Sequence, residues 1–337
     1  MKEAHCTICN SDKSTPLFAT RDFTGEIPGT FNILSCKTCR FVYTNPQIEK
    51  EDFKNYYTDN HYVRAVRGFV DPVEQRRLNN VYKTRYNFIK HFKEDGTLLD
   101  VGTGDGLFLS FIKDKGWAVV GIEPSQIASN FAREKSQVTV YTGDLLDTQL
   151  EEKQFDVVTM WEVLEHLPDI REHLKRVHTL LREDGIYVAS VPNFSSLQRL
   201  IFGRYWLGLS VPSHLYHFTP STLRKILDMN GFIDIKVYPS LINIVKNPIR
   251  EYSDSLRYFL RNVRSHPGEP FILKKKVEEG KIGDGQQEGP SVRNAFIDMV
   301  HLLEFIVFST VEIFSYCLGR TGTLFVVARK GGALKNW

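Results

Sequence analysis

The sequence predicts an α/β fold in which a mostly parallel sheet is covered by helices on both faces. Five short runs rich in β-forming residues follow one another, from GTLLDVG and WAVVGIEP through VTVYTGD and FDVVTMW to GIYVASVP. Segments with helical spacing of apolar residues separate the first three runs and the last two. Strands that alternate with helices form parallel sheets. A module with paired cysteines precedes this alternation, and an insertion precedes a final strand-like run, TGTLFVVARK.

The composition is that of a globular protein with a sizeable core. The chain has 337 residues, is 42% hydrophobic and carries a formal net charge of +3. Its lysines and arginines are scattered, so the basic stripe typical of nucleic-acid binding is not expected. MKEAHCTICN lacks the pattern of a secretory signal, and no run of about 18 apolar residues predicts a spanning helix. We therefore expect a cytoplasmic protein for which nucleic acid is not the default partner.

Four of the five cysteines form two C-x-x-C pairs, Cys6 with Cys9 and Cys36 with Cys39. Two such pairs bring four thiolates to one tetrahedral ion, typically zinc. Disulfides or a redox dithiol are the alternative, which a reducing cytoplasm and the lack of a thioredoxin-like context disfavour. We predict a small N-terminal zinc ribbon over residues 1–45 and an aromatic connector over 46–75. A closed four-thiolate site would be structural rather than catalytic.

The first strand of the alternating region ends in LLDVGTGDG, a glycine-rich turn before a helix. Glycine lets the backbone approach a ligand closely, and N–H groups at the start of a helix can bind polar atoms. Leu107 stands where the dinucleotide pattern G-x-G-x-x-G has its third glycine, so the turn alone is weak support for a nucleotide site. Glu123 ends the second strand, where a carboxylate can accept both hydroxyls of a ribose. Asp144 ends the third strand.

These motifs resemble a known family. LLDVGTGDG, GIEPS, TGDLLD, FDVVTMWEVLEHLPD and LLREDGIYVASVPN are similar, in order and spacing, to the motifs of class I S-adenosylmethionine-dependent methyltransferases. The resemblance implies a Rossmann-like seven-stranded sheet flanked by helices, formed by residues 76–240 and 319–332, with an antiparallel last strand between strands five and six. It also implies that S-adenosyl-L-methionine is bound by nine residues: Asp100, Gly102, Thr103, Gly104, Glu123, Pro124, Asp144, Leu145 and Trp161. Asp100 as a loop cap and Glu123 as a solvated turn residue are the structural alternatives.

After the fourth strand, MWEVLEHLPD places Glu162, Glu165 and His166 at the sheet edge where open α/β folds bind ligands. Three interpretations remain open. His166 could be a general base for a hydroxyl acceptor, oriented by the glutamates. The three residues could instead bind a second divalent metal together with His217, which resembles the E-x-x-E-H arrangement of small-RNA 2′-O-methyltransferases and ubiquinone-biosynthesis O-methyltransferases. Glu165 and His166 could also be purely structural.

The resemblance also suggests an acceptor. The ribbon, FVYTNP and HLYHFTPSTLRKIL look like a bacterial subgroup that often acts on sugars or surface-glycan precursors. The predicted function is therefore O-methylation in glycan biosynthesis, with a small-molecule or glycan acceptor, and FGRYWLGLSVPSHLYHFTP is expected to cover the acceptor pocket. Metal-assisted methylation of RNA or another large acceptor, and a non-catalytic cofactor-binding scaffold, are the alternatives.

The segment 241–318 predicts a mainly helical insertion with a flexible loop near 278–291. Its end, NAFIDMVHLLEFIVFSTVEIFSYCL, is the most apolar stretch of the chain, and four acidic or histidine residues interrupt it. Three roles for 295–318 fit better than a membrane span: a helix packed on the core, a homodimer face, or a peripheral helix at the inner face of the membrane.

Overall fold

A computed structural model describes residues 3–23, 27–48, 72–243, 248–264 and 306–332. Its large sheet contains β4 (Thr97–Val101), β5 (Ala118–Glu123), β6 (Thr139–Thr142), β7 (Phe155–Trp161), β8 (Leu181–Pro192), β10 (Phe232–Ser240) and β11 (Thr323–Lys330). The strand order is β10-β11-β8-β7-β4-β5-β6, and β11 runs antiparallel to both of its neighbours. The predicted α/β fold is confirmed, including the antiparallel last strand between the fifth and sixth strands of the sheet.

Helices cover both faces of this sheet because both faces are apolar. Leu98 and Leu99 are adjacent on β4, and they belong to two different buried clusters, as expected for strand residues that point to opposite sides. The described helices are α1 (Pro72–Lys90), α2 (Leu107–Lys113), α3 (Gln126–Glu134), α4 (Ile170–Leu180), α5 (Leu197–Phe202), α6 (Pro220–Met229), α7 (Pro248–Arg264) and α8, which is described over 306–317. The helical pattern assigned to IREHLKRVHTLLRE ends earlier than expected, since Leu181 already pairs with Phe155 in the sheet.

A second, four-stranded antiparallel sheet forms the N-terminal module. Its order is β1 (Ser14–Thr20), β2 (Phe31–Cys36), β3 (Val42–Asn45) and the two-residue β9 (Tyr216–His217). The last strand comes from the large α/β domain, so the predicted boundary near residue 45 separates segments that share one sheet. Thr44 N–H donates to the carbonyl of Leu215 at 3.0 Å. The module is thus built onto the segment that follows the fifth strand of the large sheet.

The insertion is described only in part. α7 and α8 pack together through a buried carboxylate, Glu312, which accepts a hydrogen bond from the Tyr252 hydroxyl at 2.7 Å. The predicted loop near 278–291 and most of the predicted connector lie outside the described residues. Among the helices that the structure describes, none has the length and apolar character needed to cross a membrane.

Candidate active site

The carboxyl ends of β4 and β7 face a cavity of about 320 Å³. Asp100, Gly102 and Thr103 contribute from β4 and the turn after it, and Trp161 and Glu162 contribute from the end of β7. This is the sheet edge at which open α/β folds bind ligands. Four of the nine predicted cofactor residues therefore line one cavity.

Two further predicted residues are linked to this cavity by the glycine-rich turn. The buried carboxylate of Glu123 accepts hydrogen bonds from the backbone N–H of Gly104 at 2.8 Å and of Ser125 at 2.9 Å. Each carboxylate oxygen has a second lone pair, so a ribose hydroxyl could be added to these contacts. Glu123 therefore orders the turn whether or not it also binds a ribose.

Gly102 occupies a position that only glycine fits. Its φ is +74°, and a Cβ built there would lie 2.5 Å from Cγ2 of Val163. A side chain would add both left-handed backbone strain and a steric clash. The turn after β4 thus packs directly against the segment after β7, which brings the two halves of the predicted site together.

Asp100 is a cavity carboxyl group whose pKa is raised. It is buried and accepts a 2.6 Å hydrogen bond from the Thr159 hydroxyl. Desolvation raises its pKa to about 6, although the hydrogen bond and the positive charge of Arg85 oppose the shift. Such a carboxylate can attract a cationic ligand that restores the lost solvation.

The sequence interpretation missed the side chains of α1 that close the cavity: Arg77, Leu78, Val81, Tyr82 and Arg85. Arg85 lies over the Trp161 ring at 4.9 Å from its centroid. Burial lowers the pKa of its guanidinium, and the charge of Glu162 is the largest effect in the opposite direction. A signal was present, because these five positions share one face of a 3.6-residue helix.

The remaining predicted cofactor residues, Pro124, Asp144 and Leu145, do not line the cavity. Oδ1 of Asp144 accepts the N–H of Leu146 at 2.9 Å and lies 3.0 Å from Nε2 of His173. Leu145 is buried. The geometry thus gives Asp144 a structural role, and its contact with an adenine remains a prediction.

His166 lies on a 3-10 turn, Leu164–His166, that follows the end of β7. Its Nδ1 is 2.9 Å from the carbonyl of Ser213, and its ring meets that of His214 edge-on with 4.5 Å between centroids. Nδ1 of His214 lies 3.0 Å from the carbonyl of Gly208. A carbonyl only accepts hydrogen bonds, so both Nδ1 atoms carry the proton and each Nε2 presents a lone pair.

The predicted metal set of Glu162, Glu165, His166 and His217 is not brought together. In the described part of the chain, ligand atoms of Glu165, His166 and His214 gather within 4.8 Å of one another. Glu162 faces the cavity instead. His217 is buried 3.0 Å from the Thr44 hydroxyl, and burial lowers its pKa to about 3. The sequence motif alone could not distinguish His214 from His217 as the neighbour of His166, because the two histidines are only three residues apart.

The four predicted zinc ligands do converge. Sγ of Cys6 lies 3.3 Å from that of Cys39, and Sγ of Cys9 lies 3.5 Å from that of Cys36. All four sulfur atoms lie within 4.8 Å of one another. A tetrahedral ion with Zn–S bonds of about 2.3 Å requires S–S separations of about 3.8 Å, so the arrangement fits zinc with small adjustments.

Comparisons with known proteins identify the kind of domain that carries this cavity. Residues 74–237 match the family model described as a methyltransferase domain. Ubiquinone biosynthesis O-methyltransferase of Rickettsia bellii is 27% identical over 184 residues, which cover 51% of this chain and 74% of the relative. The protein of the same name from Bradyrhizobium diazoefficiens is 31% identical over 149 residues, 40% of this chain and 58% of the relative. The chain therefore contains a methyltransferase domain over residues 74–237, and the protein is a methyltransferase.

Solved structures give more distant similarities. A SAM-dependent methyltransferase from Archaeoglobus fulgidus shares 20% identity with a TM-score of 0.46, covering 75% of this chain and 94% of that one. Phosphoethanolamine N-methyltransferase 2 from Haemonchus contortus, in complex with S-adenosyl-L-methionine, shares 16% identity with a TM-score of 0.49, covering 86% of this chain and 62% of that one.

Proposed function

We propose that the protein methylates a hydroxyl oxygen, with His166 as the general base. The observation that carries this proposal is the hydrogen bond from Nδ1 of His166 to the carbonyl of Ser213 at 2.9 Å. It holds the neutral ring in the tautomer whose Nε2 can accept a proton. A hydroxyl acceptor needs this help, because its pKa lies far above neutral pH.

The chemistry is a direct displacement. S-adenosyl-L-methionine supplies an electrophilic methyl group on a positively charged sulfur. The acceptor oxygen forms the new bond to the methyl carbon as the sulfur–carbon bond breaks, and the bonding electron pair stays with sulfur. His166 takes the hydroxyl proton at Nε2. Arg85 and Asp100 lie in the same cavity with opposite charges, so they suit the carboxylate and the cationic groups of the cofactor respectively.

For the acceptor, we propose a hydroxyl group of a sugar or glycan precursor. Relatives named ubiquinone biosynthesis O-methyltransferase favour an oxygen acceptor. A sugar or glycan precursor is supported by the ribbon and the sequence resemblance described above. The aromatic residues of FGRYWLGLSVPSHLYHFTP support a sugar acceptor less than expected. Trp206 is buried and its Nε1–H donates to Gln198 at 3.2 Å, so it is a core residue.

A second candidate is metal-assisted methylation. Ring nitrogens of His166 and His214 and the Glu165 carboxylate form a mixed nitrogen and oxygen donor set that suits magnesium, manganese or a related ion. Such an ion would lower the pKa of the bound hydroxyl, and His166 would then act as a ligand rather than a base.

We also propose that the four cysteines hold a structural zinc.

The proposal is tested by titrating S-adenosyl-L-methionine and S-adenosylhomocysteine calorimetrically and then measuring methyl transfer to a panel of nucleotide sugars and hydroxylated quinone precursors. His166→Gln should leave cofactor binding intact and lower turnover about 10²- to 10⁴-fold, whereas the exposed His91→Gln should change neither. Activity that is lost with chelator and restored by manganese would favour the metal reading. Full activity of His166→Gln would refute both roles.

A further inference from the structure

Arg199 lies on α5, just beyond the carboxyl end of β8, and its guanidinium is placed between two phenylalanine rings. The guanidinium carbon is 4.4 Å from the ring centroid of Phe194, which follows β8, and 5.4 Å from that of Phe18 on β1. One ring therefore belongs to the methyltransferase domain and the other to the N-terminal module. Two aromatic faces fix the plane of a guanidinium and leave its in-plane N–H donors available.

The charge of Arg199 has no anionic partner in the described part of the chain. Its Nε is buried and donates to no acceptor there, and no ion pair or hydrogen bond of its two terminal nitrogens is found within those residues. Burial alone accounts for the lowered pKa of its guanidinium. A half-buried guanidinium with an unsatisfied Nε–H and free in-plane donors can bind an anion.

The position of Arg199 connects it to the candidate active site. Phe194 also packs against the ring of His217, with 5.6 Å between centroids, and the charge of Arg199 helps to lower the pKa of that histidine. β8 pairs with β7 at the same edge of the sheet, where Ser190 lies opposite Trp161. Arg199 therefore follows the strand next to β7, and the carboxyl end of β7 lines the cavity.

We propose that Arg199, held between Phe18 and Phe194, is an oxyanion subsite that binds a phosphate or carboxylate group of the acceptor. This deepens the proposed function, on which it rests, because it makes the acceptor an anionic molecule. The planar fork of a guanidinium matches two oxygens of either group. It also gives the N-terminal module a part in substrate recognition, since Phe18 forms one wall of the subsite.

The test uses the full-length protein and two probes, inorganic pyrophosphate and succinate, titrated calorimetrically at fixed ionic strength because anion binding is screened by salt. S-adenosylhomocysteine is titrated into every sample. Arg199→Gln should weaken binding of the preferred anion about tenfold or more, and Arg199→Lys should weaken it less, since the charge remains without the fork. The exposed Arg204→Gln is the matched control and should change the affinity less than twofold. Phe18→Leu should weaken binding of the anion, while the metal content of the protein stays unchanged.

The outcomes separate this inference from the proposed function. Equal anion binding by wild type and Arg199→Gln, or no anion binding by a protein that binds S-adenosylhomocysteine, would overturn the subsite and leave methyl transfer intact. A folded wild type that binds neither ligand would overturn the cofactor site first. If Arg199→Gln melts at a lower temperature, Arg199→Lys and Phe18→Leu decide the question. Preference between pyrophosphate and succinate identifies the anion.

Discussion

Asp100 should make cofactor binding depend on pH near 6. The folded chain raises the pKa of this carboxyl from 3.8 to about 6, chiefly by burying it. An ionised Asp100 attracts the positive groups of S-adenosyl-L-methionine, and a protonated one does not. Affinity should therefore be highest above pH 7 and should fall as the pH drops through 6.

The magnitude follows from the raised pKa. At pH 5 about one Asp100 in eleven is ionised, so affinity at pH 5 should be about tenfold weaker than at pH 8 if only the ionised form binds. Asp100 also affects the free energy of unfolding, but with the opposite dependence on pH. Its folded pKa is above its unfolded pKa, so its contribution favours the folded state at low pH and is lost as the pH rises from about 4 through 6. At 1.36 kcal/mol per pKa unit the loss is about 3 kcal/mol.

The assay is calorimetric titration between pH 5 and pH 8 on wild type and Asp100→Asn, with thermal unfolding of both at each pH. Asparagine keeps the acceptor for the Thr159 hydroxyl but carries no charge. The variant should bind more weakly at pH 8, lose the pH dependence, and unfold with a higher free energy than wild type at pH 8 but not at pH 4. S-adenosylhomocysteine lacks the charged sulfur, so comparing the two ligands shows which cationic group Asp100 attracts. An unchanged slope in Asp100→Asn would refute the reasoning.

Three further perturbations test the rest of the site. Gly102→Ala should destabilise the fold by about 2–4 kcal/mol and abolish cofactor binding, because it combines left-handed backbone strain with a clash against Val163. The control is Gly116→Ala. Gly116 has a φ of +91° and nothing within 4 Å of the position of a Cβ, so this variant should show the cost of the strain alone. Thr44→Val should cost about 1–3 kcal/mol in denaturant unfolding, since it removes a buried hydroxyl that donates to the His214 carbonyl at 2.8 Å. Cys36→Ser should remove about one zinc per chain by elemental analysis and lower the melting temperature.

The sequence predicted most of the large sheet because alternating strands and helices leave a strong periodic signal, and TGTLFVVARK was identified as the antiparallel last strand. It predicted the four converging cysteines because C-x-x-C spacing carries that geometry locally. It did not predict Arg85, which reaches the cavity only when α1 packs on the sheet. It also chose His217 over His214 as the partner of His166. His214, not His217, lies beside His166, and no periodicity in the sequence specifies which of the two does.

Which of these two histidines lies beside His166 depends on how the N-terminal module contacts the segment that contains them. His217 pairs with Val42 across β3 and β9, and Thr44 holds the carbonyl of His214. On the opposite side of the same segment, the carbonyl of Ser213 accepts from Nδ1 of His166. One short stretch therefore connects the cysteine module to the proposed base. An N-terminal module that served only as a stable fold would not need to contact this segment. The pairing of β3 with β9 therefore favours a module that also sets the geometry of the residues that face the acceptor.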